Sequence, residues 1–129
     1  MNRELQQKLF EKYPTIFKQK DLTPLQSPIC FGIETEDGWY DLLDTLCFLL
    51  TEVCPEIEAT QVKSKFGGLR FYVDHANDAA NTLISFAENM SYKLCEICGN
   101  RGERIQGGWI WTLCPTHKEE KEKKNATVS

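Results

Sequence analysis

Three cysteines and a histidine stand in two tight pairs, Cys95-Glu96-Ile97-Cys98 and Cys114-Pro115-Thr116-His117. A two-residue spacer lets both members of a pair reach one ion, and thiolate sulfur and imidazole nitrogen are the ligands that tetrahedral zinc takes. Gly99 suits the tight turn that must follow the first pair, and Pro115 suits the first turn of a helix. The spacing predicts one zinc ion per chain, held by Cys95, Cys98, Cys114 and His117. Four protein ligands close a tetrahedral sphere and leave no position for water or substrate, so the expected role is structural. His75 is the one other imidazole in the chain. It stands at the end of a separate hairpin and reads as a helix-start or surface residue.

Two further stretches carry charge and aromatic rings on hairpins with a Gly-Gly turn. Gly67-Gly68 fits a two-residue turn, whose favoured form needs positive φ at both centres. That turn pairs Phe66 with Leu69, Lys65 with Arg70, Ser64 with Phe71, and Lys63 with Tyr72. One face is then Val62, Ser64, Phe66, Leu69, Phe71 and Val73, a core face. The other is Lys63, Lys65, Arg70 and Tyr72, where like charges oppose each other and destabilise the pairing. Two readings fit that face: a solvated surface neutralised by Glu34 or Glu36, or a seat for an anionic ligand. The second hairpin, turned at Gly107-Gly108, pairs Ile105 with Ile110 and Arg104 with Trp111. Arg104, Trp109 and Trp111 would share a face able to stack a nucleobase or grip another protein. The same tryptophans would equally pack the zinc module onto its neighbour or join two copies in a homo-oligomer. The candidate ligand-binding set is Lys63, Lys65, Arg70, Tyr72, Arg104, Trp109 and Trp111.

The elements that must position these residues follow from capping and periodicity. Asn2 caps a first helix with Leu5, Leu9, Phe10 and Tyr13 on one stripe, ended near Pro14. Residues 14–29 hold three prolines and read as loop with a short helical turn, and "ICFGI" reads as a short strand. Asp37 is the expected N-cap of a second helix over 38–53, whose stripe is Trp39, Leu42, Leu43, Leu46, Leu50 and Val53. Cys47 and Cys54 on that helix read as small buried hydrophobes. Asp74 or Asn77 starts a third helix to about Leu94, with Leu83, Phe86, Ala87, Met90 and Leu94 inward. "KEEKEKK" reads as a charged helix or tail. The fold class expected is α+β: a small, mainly antiparallel sheet with packed helices and a C-terminal treble-clef-like zinc module. The expected division is a core over 1–94, the module over 95–120 and a charged tail over 121–129.

Composition narrows the function classes. With 41% hydrophobic and 26% charged residues, the chain reads as an ordinary globular protein. The start shows no secretory pattern, and no apolar run is long enough to span a membrane. A cytoplasmic location is expected, where six cysteines are thiols and ligands rather than disulfides. A net charge of −4 weighs against a non-specific nucleic-acid binder. "KFGGLRF" lacks P-loop spacing, and no serine or cysteine sits in a nucleophile motif. Asp74, His75 and Asp78 remain a possible acid–base cluster, weaker than a binding role.

Taken together, "KSKFGGLRFYV", "CEICG" and "GGWIWTLCPTH" resemble a group of short zinc-finger-like proteins borne by phages and prophages, over most of the chain from "GWYDLLD" onward. The resemblance implies a phage accessory role, including interference with host defence, and carries no mechanism. The function expected is a non-enzymatic, zinc-stabilised binding protein. Its partner would be an anionic, nucleotide-like molecule or a host protein; the alternative is a nucleic-acid-binding zinc-finger regulator.

Overall fold

The computed structural model describes residues 1–128, with side chains placed through Lys124. Asn2 caps the first helix, α1 (Arg3–Lys12), by accepting from the Leu5 N–H, and Leu9 and Phe10 are buried. Pro28 opens a 3-10 turn over Pro28–Phe31, so the expected strand at "ICFGI" shrinks to β1 (Ile33–Glu34). The reason is that proline has a fixed φ and no N–H for a ladder. Residues before it are stapled to the sheet instead: the Ala59 N–H donates to Ile16 O, and Ser27 Oγ donates to Thr60 O.

The second helix, α2 (Tyr40–Val53), starts later than expected, after a 3-10 turn over Asp37–Trp39. Asp37 does not cap it. Its carboxylate accepts from the backbone N–H and side-chain amide of Asn2 and so ties the starts of two helices together. Trp39, Leu43, Leu46 and Leu50 form the buried stripe, with Cys47 and Cys54 fully buried beside them. Val53 is exposed, against expectation.

Strands β2 (Glu58–Lys65) and β3 (Gly68–Asp74) form the long hairpin, and β1 lies parallel to β2 on its other side. The two central turn residues are Phe66 and Gly67, with φ of 54° and 77°, rather than Gly67 and Gly68. Gly68 is already in the strand, at a position where a side chain would run into the Tyr92 ring. Lys63 therefore faces Arg70, Val62 faces Phe71, and Gln61 faces Tyr72. From Lys65 back to Gln61 the slip moves each partner by two positions, so the two faces keep their expected membership there; beyond a bulge Val73 faces Ala59. Only Phe66 leaves the core face, 55% exposed at the turn.

Helix α3 (Asp78–Ser91) is capped by Asn77, whose side chain accepts from the Ala80 N–H. It packs on α2 and β3 through Ala80, Ala87 and Ser91, while Phe86, expected inside, is exposed. The C-terminal part holds a short hairpin, β4 (Glu103–Ile105) with β5 (Trp111–Leu113), and then α4 (Pro115–Val128). Its small apolar cluster, Cys95, Leu113 and Cys114 with Ile97, Ile105 and Trp111, is distinct from the main core. The fold is α+β. Among the described residues no helix is long and apolar enough to cross a membrane.

Candidate metal centre and the adjoining cleft

The four expected ligands converge. Cys95, Cys98, Cys114 and His117 present donor atoms that all lie within 4.8 Å of one another. Cys98 Sγ is 3.7 Å from Cys114 Sγ, and His117 Nδ1 is 3.5 Å from Cys95 Sγ and 3.2 Å from Cys114 Sγ. A tetrahedron with metal–sulfur bonds of about 2.3 Å has sulfur–sulfur edges of roughly 3.8 Å, so the set fits a tetrahedral metal ion. The local chain makes this geometry. The Gly99 N–H donates to Cys95 O, and Cys95 N–H and Gly102 N–H donate to Asn100 O and Lys93 O, closing the knuckle. Cys114 immediately precedes α4, and the Lys118 N–H donates to its carbonyl. Backbone N–H groups of His117 and Thr116 reach the Cys114 sulfur and lower its thiol below the ordinary range, favouring the thiolate that binds metal. Nδ1 of His117 faces the sulfurs, while Nε2 lies 3.8 Å from Glu120 Oε2. A carboxylate behind a ligating imidazole fixes its tautomer.

The knuckle is built into the main core as well as into its own cluster. The Gly38 N–H donates to Glu96 O, and the Trp39 indole donates to Leu94 O. A Cβ at Gly38 would collide with the carbonyl oxygens of Cys95 and Glu96. Glu96, between the first two ligands, is 1% exposed. Its Oε1 accepts from Ser64 Oγ at 2.7 Å and its Oε2 from the Thr112 N–H at 2.8 Å. Burial pushes the Glu96 carboxyl above its ordinary range, and these two hydrogen bonds pull it back. Sequence reasoning missed Glu96. The available signal was Ser64, a polar residue on an otherwise apolar face that had to find a partner.

The two hairpins, separate in sequence, meet in space. Arg104 donates from Nε and Nη2 to Phe66 O at 3.0 and 2.9 Å, and Thr112 Oγ1 donates to Gly67 O at 2.6 Å. The tip of the first hairpin is therefore fastened to the second.

The second hairpin does not have the expected register. Ile105 pairs with Trp111 and Arg104 with Thr112, across a loop spanning residues 106–110 rather than a two-residue turn. This slip is odd, so it exchanges the faces. Arg104 is parted from Trp111 and lies over the Tyr92 ring, 4.3 Å from its centre, while Trp111 takes Lys121 at 4.2 Å. Trp109 and Trp111 still meet, with ring centres 6.2 Å apart.

Of the seven candidate ligand-binding residues, the structure gathers three around one cleft. Lys63 and Lys65 line it from β2, with Ser64 and Phe66 beside them, and Trp109 closes it with Gly108 and Ile110. Its volume is about 330 Å³, within the roughly 300–1,000 Å³ of small-molecule sites. Trp109 is 66% exposed. A second groove of about 390 Å³ continues from Lys63, Ser64 and Trp109 to Trp111 and to Glu34, Thr35 and Glu36. Arg70 is turned away, ion-paired with Glu88 at 2.9 Å and hydrogen-bonded to the Tyr92 hydroxyl. Tyr72 lies exposed farther along β3, opposite Gln61. His75 is remote from the metal cluster, 3.5 Å from Glu58, with an unusual φ of 65°.

No family model matches this chain, and no curated protein or solved structure does so.

Proposed function

We propose that this is a non-enzymatic, zinc-stabilised binding protein whose cleft takes an anionic, nucleotide-like ligand. Three thiolates and an imidazole suit zinc, which has no redox chemistry and accepts a closed tetrahedral shell. Zinc in that position would hold β4 and β5, and through them the 106–110 loop that carries Trp109. The observation that supports the ligand class most directly is the cleft wall: an exposed indole opposite Lys63 and Lys65, on two hairpins of which the tip of the first is fastened to the strands of the second. A flat ring can stack on Trp109 while ammonium groups meet a phosphate. The two glutamates at the far end of the groove would repel a long polyanion, which favours a compact ligand over a nucleic-acid strand. The resemblance to phage-borne proteins supports a setting in which sequestering a host signalling nucleotide is useful, in the cytoplasm of the host.

Native mass spectrometry of the purified protein tests both parts. One zinc per chain is expected, and addition of mononucleotides should give a mass-shifted complex that Trp109→Ala and Lys65→Ala weaken. A folded, zinc-loaded protein that binds none of them, but captures a protein partner through Trp109 and Phe66, would instead favour the host-protein reading.

A further inference from the structure

The groove is polarised along its length. At one end Lys65 flanks Phe66, its ammonium 5.5 Å from the ring centre. In the middle stand Lys63, Ser64 and Trp109, shared by both parts of the groove. At the other end are Glu34 and Glu36, both exposed, with Met1 beside them, whose terminal ammonium donates to the carbonyls of Ile33 and Thr35. Glu34 and Lys63 are register partners on adjacent strands, where opposite charges ordinarily pair. Among the described residues, however, neither of them nor Glu36 makes a side-chain ion pair or hydrogen bond. Buried Glu96 also borders this end, but both its oxygens are engaged by Ser64 and Thr112. The open carboxylates are therefore Glu34 and Glu36.

We infer that the groove is selective for a guanine nucleotide, with the phosphate at Lys65, the base on Trp109 and the donor edge of the base at Glu34 or Glu36; this rests on the nucleotide-like reading of the cleft. The chemistry is one of donors and acceptors. An ionised carboxylate only accepts, through two oxygens side by side. Among the common bases, guanine alone presents two adjacent donors, its ring N–H and exocyclic amine, so it alone can meet both oxygens at once. Adenine and cytosine offer an amine beside a ring acceptor, which a carboxylate repels. Uracil offers a single ring N–H between two carbonyls. Thr35, between the two glutamates, is buried; the β1–β2 register sets Glu34 beside Lys63, and Glu36 lines the same groove.

The test is a titration of the zinc-loaded full chain with guanosine, adenosine, cytidine and uridine monophosphates, followed by calorimetry. Guanosine monophosphate should bind about tenfold tighter or better than the others, the range of one bidentate base contact. Glu34→Gln and Glu36→Gln, singly and together, should erase that preference while adenosine monophosphate binding stays within about twofold. Lys65→Ala should weaken all four nucleotides alike. Equal affinity for all bases, or a guanine preference that survives in the double variant, overturns the base-edge assignment and leaves the nucleotide cleft standing. Failure of every nucleotide to bind a folded, zinc-loaded chain overturns the cleft reading as well. Zinc content and circular dichroism of each variant show whether it is folded.

Discussion

Single contacts decide how firmly the Cys/His cluster is seated. Gly38 has no room for a side chain because the carbonyls of Cys95 and Glu96 lie where its Cβ would be. Gly38→Ala is therefore expected to push the knuckle off the core and cost about 1–3 kcal/mol, the range for overpacking a fixed backbone. Denaturant unfolding and zinc competition with a chelator should both report it, as a lower midpoint and weaker metal retention. A pH effect arises at Asp44, on α2. Burial pushes its carboxyl up, but hydrogen bonds from the Tyr13 hydroxyl and Lys12 outweigh that and hold it below the usual range. A lowered value in the fold means Asp44 stabilises above the unfolded value of about 3.9 and loses that contribution as pH falls through the folded value. The stability deficit of Asp44→Asn should accordingly be largest near neutrality and shrink below about pH 4. Comparing both proteins at each pH cancels the acid release of metal. A deficit that grows on acidification would rule this pairing out.

At the scale of elements, the tip of the β2–β3 hairpin sets stability against binding. Phe66 occupies the left-handed region at φ 54°, where a non-glycine residue outside Asn or Asp costs about 1–2 kcal/mol. Asn-Gly is the favoured pair for such a turn. Phe66→Asn should therefore raise the melting temperature by a few degrees, about what 1 kcal/mol gives a domain of this size. It should also weaken nucleotide binding, since Phe66 lines the cleft. Scanning calorimetry and a binding titration on the same preparation check both signs. A phenylalanine kept where asparagine fits the backbone better is what a ring selected for contact would look like.

At the scale of the whole molecule, two apolar clusters of unequal size imply unequal dependence on metal. Among the described residues the main core holds twenty buried residues from Leu9 to Ala87, and the C-terminal cluster holds three, two of them cysteines of the candidate metal site. Chelation is expected to release β4, β5 and the 106–110 loop while α1, α2 and the long hairpin stay folded. Hydrogen exchange should show protection lost around residues 95–120 and retained at the fully buried Leu43, Leu50 and Val62. Nucleotide binding should fall with it, because Trp109 then loses its place opposite Lys63. Global unfolding on chelation would show that the contacts of Glu96, Gly38 and Trp39 bind the two parts into one cooperative unit.

What the sequence determined by itself is what short-range rules govern. The ligand spacing specified the metal cluster, because two residues between donors is a local constraint that few other arrangements satisfy. Caps placed the start of α1 at Asn2 and narrowed that of α3 to Asp74 or Asn77, of which the fold uses Asn77, since a cap is a bond to a residue three positions on. Alternation placed Lys63 and Lys65 opposite the core, and that survived a mistaken turn because the slip was by two. Tertiary structure decided the rest. The second hairpin slipped by one, so Arg104 went to Tyr92 and Trp111 to Lys121, and no local signal separated its five-residue loop from a two-residue Gly-Gly turn. Arg70 was taken by Glu88, and Glu96 was buried between Ser64 and Thr112. These are contacts between segments far apart in sequence, where partners are chosen by what the packed backbone leaves within reach. The groove that joins Lys65, Trp109 and Glu34 is of that kind: its residue types are written in the chain, and their meeting is a property of the fold.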